Sequence, residues 1–295
     1  MTDEQGQASV EWVGLLLLVS LALGGVVAFA PRVDGRSLGG FLAHRMVCAV
    51  RLGCDDGDAS LARMYGRREA ALVRANAPGL AYESGEPSLP VDFRHCRRLA
   101  CAAAPDDRDL DSHRSSRGEP ATVFTHVVRR RGHLYIQYWL YYPDSNTTLL
   151  ASDKLWNHSP LRLAGRYPGF HLDDWEGYEV RTDRDGSVWA RATSHGHWQA
   201  CKWSKCRDRW TRSSGWSRVS RGSHAGHIPG ELRGRRGRFR SWLPGRELRE
   251  RTSTAEGLRL VPLESLDWSA YRPLDEDIAP PWEKGAWGDP EGGRP

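Results

Sequence analysis

Twelve residues, HLYIQYWLYYPD at 133–144, constrain this chain more than any others. Side chains alternate along a strand, so Leu134, Ile136, Tyr138 and Leu140 fall on one face, and Tyr135, Gln137, Trp139 and Tyr141 on the other. Both faces are apolar or aromatic, which requires a central strand of a sheet covered on both sides. ATVFTHVVRR at 121–130 reads as its hairpin partner, with RGH between. Further strands are expected at 175–182, Val188–Ser194, 216–221 and 258–263. Many strands separated by turns, with little helix between them, predict a mainly β fold, an antiparallel β-sandwich.

The chain of 295 residues has an apolar fraction of 39% and 13 Trp, enough for a substantial core. Net charge is +5, and of 42 basic residues only four are lysine: Lys154, Lys202, Lys205 and Lys284. Arginine is spread along the chain without a nucleic-acid motif, so no nucleic-acid partner is expected.

Residues 12–30 form a run of 19 without a charge, rich in Leu, Val and Ala. That length predicts a single transmembrane helix in contact with the lipid bilayer. Its flank, GQASVEW, resembles the class III leader of type IV pilin-like and tight-adherence pilin-like proteins. The resemblance implies processing after Gly6, with Glu11 five residues on and the helix retained. Six cysteines fall in three close pairs, Cys48/Cys54, Cys96/Cys101 and Cys201/Cys206. None is spaced as CxxC, and three local disulfides in an oxidising compartment are expected. Asp3 and Glu4 before the helix, against Arg32 and Arg36 after it, run opposite to the positive-inside rule. The cysteines outweigh them, and the C-terminal domain is placed outside the cytoplasm, on a single-pass cell-membrane protein. The organisation expected is a leader and anchor at 1–30, a juxtamembrane helical segment at 31–76 and the β domain at 77–293. In the middle segment Leu61, Met64, Tyr65, Leu72 and Val73 share a helical face, with Ser60 as N-cap.

The chemistry concentrates in GFHLDDWEGYEV at 169–180. Downstream, Asp185-Gly186 lies between two alternating runs and signals a hairpin. A two-residue loop there sets Glu176 opposite His195 and Asp174 opposite His197. Asp174 and Glu176 share a face, and Trp175 takes the opposite face, towards the core. His171 joins them only if the chain bends. Carboxylates and imidazoles converging at a strand end can ligate a divalent cation. His224 and His227 in GSHAGH form a possible second binding loop. The arginine-rich run at 231–251 could meet anionic lipid head groups.

His-x-x-Asp-Trp-Glu after a YWLYYPD strand resembles two related groups. One is the secreted cytolysins of the necrosis- and ethylene-inducing-like family, with a Gly-His-Arg-His-Asp-Trp-Glu heptapeptide. The other is the vacuolar protein sorting-associated protein 62 family, with a Gly-Asp-Trp-Glu core. APGLAYESGEPSLPVDF, RGSHAGHIP and PPWEKGAWGDPEGG resemble further segments of the second group, across about residues 77–293. The resemblance implies a β-sandwich and a metal held by Asp144, His171, Asp174 and Glu176, with His195 matching a family histidine. Phe170 and Leu172-Asp173 depart from the heptapeptide, and the segment from Asp144 to His171 is longer than in the family. Oxygen-rich ligation favours Mg²⁺ or Ca²⁺.

The function expected is an anchored, surface-exposed metal-binding module for an envelope or extracellular ligand: a sugar, lipid head group or polymer. The alternatives are a metal-dependent hydrolase of the envelope, with Glu176 or Asp173 as general base, and a minor pilin-like subunit. Binding is favoured over catalysis because no Gly-x-Ser-x-Gly or His-Glu-x-x-His motif is present.

Overall fold

A computed structural model describes residues 57–83, 86, 88–103, 113–146, 170–194, 196–199, 210–228, 252–253 and 255–295. Gly6 and Glu11, the apolar run at 12–30, Cys48, Cys54, Cys201, Cys206, His195 and the arginine-rich run at 231–251 lie outside the described residues. Among the described residues no helix is long and apolar enough to cross a membrane.

Helices α1 (Gly57–Tyr65) and α2 (Arg67–Ala75) come first. They are separated by Gly66, whose φ of 82° suits a residue without a Cβ. Ser60 lies inside α1 instead of capping it. Next come β1 (Gly79–Tyr82), the short α3 (Leu99–Ala102), β2 (Thr122–Arg130) and β3 (His133–Asn146). The chain continues through β4 (Phe170–Thr182), β5 (Val188–Ser194), β6 (His197–Gln199) and β7 (Thr211–Arg212). It ends with β8 (Trp216–Val219), β9 (Gly226–His227), β10 (Thr252–Ser253), β11 (Arg259–Pro262) and α4 (Gly285–Gly288). The fold is mainly β, with two sheets. One has the order β10-β1-β8-β9; the other runs β11-β2-β3-β4-β5-β6, with β7 also on β5.

β3 is the central strand its sequence requires. It pairs antiparallel with β2 and, over twelve residue pairs, with β4. Leu134, Ile136, Tyr138, Leu140 and Tyr142 enter one apolar cluster together with Leu80, Tyr82 and Val219 of the smaller sheet and Leu61 and Val73 of the helices. Trp139 and Tyr141 enter a second cluster with Phe93, Phe124, Trp175, Tyr271 and Ala286. Burying a side chain of this size contributes roughly 1.5–3 kcal/mol, so the strand is held from both faces. The β2–β3 loop is Arg131-Gly132, both at positive φ (51° and 82°), the two-residue geometry that matches strand twist.

Two expectations are corrected. The sheets are not wholly antiparallel: β11 runs parallel to β2, and β1 parallel to β8. Each parallel pair joins segments more than a hundred residues apart, and such pairing leaves no local turn signal. The β4–β5 loop has three residues, not two. Asp183 N donates to Ser187 O at 2.9 Å, and Gly186 takes the left-handed position at φ 83°. Thr182 therefore faces Val188 and Glu179 faces Arg191, one residue off the expected register. His197 lies on β6 opposite Ser194, not opposite Asp174.

The two sheets meet closely at Gly226. A Cβ there would sit 2.8 Å from Ala192 Cβ and 3.1 Å from Thr193 O. Gly226→Ala is expected to cost about 1–3 kcal/mol by overpacking. Urea unfolding measures it, and unchanged stability would contradict the close approach.

Candidate functional site

β4 is bonded to β3 along nearly its whole length but to β5 only from Tyr178 to Thr182. Residues 170–177 therefore have one edge outside the ladder, and a pocket of about 450 Å³ opens there. Two side chains cover part of this edge. Thr193 Oγ1 accepts from Gly177 N at 2.6 Å, and Lys284 Nζ donates to Trp175 O at 3.4 Å. The residues lining the pocket include His171, Asp174, Trp175, Glu176, Thr193 and Lys284, together with Ser145, Ser223 and Asp277.

The alternation along β4 sorts the cluster. Trp175 is buried in the aromatic core, its ring 5.0 Å from Tyr141 and 5.4 Å from Phe93, and Nε1 donates to Tyr271 Oη at 3.2 Å. Asp174 and Glu176 then fall on the other face, opposite Tyr142 and Leu140. Both are nearly buried, at 5% and 9% exposure.

Asp173 belongs elsewhere. It is fully buried, adopts φ 57°, and accepts from Arg97 (2.6 Å), Tyr141 Oη (2.7 Å) and Leu274 N (2.5 Å). All its acceptor capacity is spent tying the segment at 97 and the segment at 274 to β4. Asp173, one of the two bases named for the alternative hydrolase reading, is thus a structural clamp, and it is not among the described residues lining the pocket.

Asp174 Oδ1 lies 3.8 Å from His171 Nε2, so the chain does bring that half-exposed imidazole to the carboxylate. Asp174 Oδ2 accepts from His224 Nδ1 at 2.7 Å. His224 is buried, stacks on Tyr142 at 3.8 Å and 3°, and reaches Glu86 through Nε2 at 3.3 Å. Burial alone would lower its pKa, but the charges of Glu86 and Asp174 and their hydrogen bonds raise it well above the usual 6.5. His224 is thus part of the Asp174 site and not of a separate loop. His227 is in β9, opposite Arg218. Asp144 is buried on β3, opposite Leu172, and is not among the described lining residues.

Glu176 accepts a hydrogen bond from Thr193 Oγ1. Burial, then the charge of Asp174, pushes its pKa from 4.5 up to about 8, against the opposing pull of Thr193, Lys284 and His224. Lys284 is lowered from 10.5 by burial, with Glu176 and Asp174 pulling the other way. Its ammonium lies 5.2 Å from the Trp139 ring.

Sequence reasoning missed Lys284, Glu86 and Thr193 as neighbours of the cluster. Lys284 carried one visible signal, being one of only four lysines among 42 basic residues. Cys96 and Cys101 are disulfide-bonded, as their spacing predicts. Among the described residues, no group of three or more His, Cys, Asp or Glu is arranged to hold a metal ion.

No protein-family model matches the chain, and no curated protein matches it. The solved structures it is similar to are necrosis-inducing-like, toxin-fold proteins. One is NLPPya in complex with mannosamine, 15% identical with a TM-score of 0.33, covering 68% of this chain and 76% of that one. A second, described as a toxin fold as basis for microbial attack and plant defense, is 16% identical with a TM-score of 0.35, covering 68% and 77%. A third, the non-toxic HaNLP3 protein, is 11% identical with a TM-score of 0.34, covering 68% and 78%. Likeness at this level assigns neither fold nor function, and the site is argued from its own geometry.

The raised Glu176 pKa fixes a pH dependence. The folded state prefers the protonated acid, so this contribution to stability is complete below about pH 4.5 and is lost as pH rises through about 8. In chelator, Glu176→Gln should therefore gain on the wild type in melting temperature, by several degrees, between pH 5 and pH 9. A difference that does not change with pH would contradict the burial of a charged Glu176.

Proposed function

We propose that this chain is a membrane-anchored, surface-exposed β-sandwich whose β4 pocket binds a divalent cation and, through it, a polar ligand of the envelope or extracellular space, such as a glycan. The observation that carries this reading is the enforced burial of Asp174 and Glu176 side by side at the mouth of a pocket. Burial first, and then the charge of Asp174, raises Glu176, and a cation between the two carboxylates would offset both.

Oxygen-rich side chains suit such an ion, and since no three His, Cys, Asp or Glu among the described residues are already arranged to hold one, the reading requires a further donor. Asp174 and Glu176 supply oxygen and His171 nitrogen, and His224 holds Asp174 from behind through Nδ1, as outer partners of metal ligands do. The buried Tyr142 hydroxyl, which feels the charges of Glu86, Asp174 and Glu176, has no hydrogen-bond partner among the described residues. Asp144 and His195 are proposed to complete the set. Oxygen-rich ligation favours Mg²⁺ or Ca²⁺. When bound, the ion would supply a positive centre for ligand hydroxyl or carboxylate oxygens, while Ser145, Thr193 and Ser223 offer hydrogen bonds beside it.

Binding is favoured over hydrolysis because the sequence has no Gly-x-Ser-x-Gly or His-Glu-x-x-His motif, and Asp173, one of the two bases a hydrolase would use, is occupied by Arg97, Tyr141 and Leu274 N. A Glu176 that is protonated up to about pH 8 is the feature that favours the hydrolase reading. The anchor at 12–30, the leader cut after Gly6 and the outside location of the β domain rest on the sequence.

The test is thermal unfolding and calorimetry of the full chain in detergent with Mg²⁺, Ca²⁺, Mn²⁺ or Zn²⁺, followed by a glycan array with and without chelator. A cation at a hundredfold excess over its Kd should stabilise the wild type by about 2.7 kcal/mol and Asp174→Asn by much less. Glycan capture should be lost in chelator. A melting temperature indifferent to every cation would remove the cation site, and chelator-resistant capture would detach ligand recognition from it.

A further inference from the structure

The end of the molecule away from the pocket is basic. Glu69 of α2 pairs with Arg129, and Asp289 pairs with Arg130 at 2.6 Å, so the β2–β3 turn, the start of α2 and the segment after α4 are neighbours. Arg184, from the β4–β5 loop, lays its side chain against Gly132 of the same turn. These contacts gather Arg67, Arg68, Arg129, Arg130, Arg131 and Arg184 at one end. Glu69 and Asp289 neutralise two of them. The other acids there are engaged: Asp183 with Arg181 at 3.0 Å and His133 at 2.9 Å, and Asp185 with Ser187 N at 2.9 Å. Arg67, Arg68, Arg131 and Arg184 are exposed and form no ion pair among the described residues. Met64, 38% exposed, precedes Arg67 and Arg68 at the end of α1.

The turn itself carries a cost that the fold does not explain. Arg131 sits at φ 51°, in the first position of a two-residue turn where Asn, Asp or Gly is the low-cost choice. Among the described residues its side chain makes no hydrogen bond that would offset this. Along β3, the distance from His133 at this turn to Tyr142, which faces Asp174, is about 30 Å. The basic end and the pocket therefore lie at opposite ends of the β3–β4 ladder.

We propose that this basic end docks on an anionic phospholipid surface, and that docking turns the β4 pocket away from the bilayer. The inference rests on the membrane-anchored reading above and is independent of the cation site. Unpaired guanidinium groups match the phosphates of lipid head groups, and each basic residue near such a surface strengthens binding about fivefold. Met64 supplies an apolar side chain for the head-group boundary. A lipid surface is favoured over a soluble polymer because the unpaired arginines come from three segments, α2, the β2–β3 turn and the β4–β5 loop, that converge on one tip. The α1–α2 segment also follows the apolar run at 12–30 in sequence.

The test is energy transfer to dye-labelled lipid head groups from a fluorophore on Ala71→Cys or Ala279→Cys, in the full chain. Both positions are exposed, Ala71 on α2 and Ala279 in the pocket lining. The vesicles are phosphatidylcholine alone or with about a third phosphatidylglycerol. Phosphatidylglycerol should raise transfer from Ala71→Cys about twofold or more, should not raise it from Ala279→Cys, and should lose its effect in high salt. Arg67→Gln, Arg68→Gln and Arg131→Asn combined should abolish the rise. Arg131→Asn alone, which suits the turn, should reduce the rise without lowering the melting temperature, so a folding defect in the triple variant leaves a second measure. Transfer from Ala71→Cys indifferent to phosphatidylglycerol, or a rise shared equally by Ala279→Cys, would overturn the proposal. Salt-sensitive binding of soluble polyphosphate with no phosphatidylglycerol effect would assign the patch to a polymer and overturn the lipid surface. Flotation separates the two readings: a chain that floats only with phosphatidylglycerol vesicles keeps the docking surface and loses the anchor, and one that floats with neither loses both.

Discussion

The site follows from one constraint, the alternation of side chains along a strand whose other face is already committed. Trp175 packs among Phe93, Phe124, Tyr141, Tyr271 and Trp282. Once that ring is inside, Asp174 and Glu176 must point to the opposite face. There they meet Tyr142, Leu140 and His224 instead of open water. The ladder to β3 prevents the strand from rotating them out, and the end of β5 pairing at Tyr178 leaves the space beside them. Two buried carboxylates at an open strand edge are thus a consequence of how the aromatic core is filled.

The chain answers this burden with positive charge from two directions. His224 approaches from the turn after β8, pinned by Glu86, which also accepts from Gly222 N at 2.6 Å. Lys284 approaches from the C-terminal segment, across the other face of the sheet at Trp139. Asp173 holds that segment in place with a charge-assisted set of bonds of its own. Adjacent aspartates on β4 thereby do opposite work: Asp173 fastens loops to the strand, and Asp174 faces the pocket. Lys284 and His224 together explain how Asp174 and Glu176 can be buried side by side in a stable fold.

Much of the β architecture was legible in the sequence, because its signals are local. The two-faced pattern of 133–144 marked the central strand, RGH at 131–133 marked the hairpin to β2, whose loop is Arg131-Gly132, and Val188–Ser194 matched β5 to the residue. The register across Asp185-Gly186 was not legible. Dipeptides of this kind occur both in two-residue loops and as the end of three-residue loops, and the difference moves every cross-strand partner by one. Parallel pairing of β1 with β8 and of β2 with β11 left no local trace. Within the site, His171, Asp174 and Glu176 could be grouped because they are near in sequence. Lys284, Glu86 and His224 could not, since their meeting depends on segments about 50 to 140 residues away.

The central claim is that Asp174 and Glu176 are held together to receive a cation. The most direct measurement is anomalous diffraction from crystals of the protein grown in Mn²⁺. The account predicts a single strong anomalous peak in ligating contact with Asp174 and Glu176, with His171 turned towards it and His224 still bonded to Asp174 from behind. Well-ordered carboxylates with no peak between them, and only His224 and Lys284 as their positive partners, would contradict it.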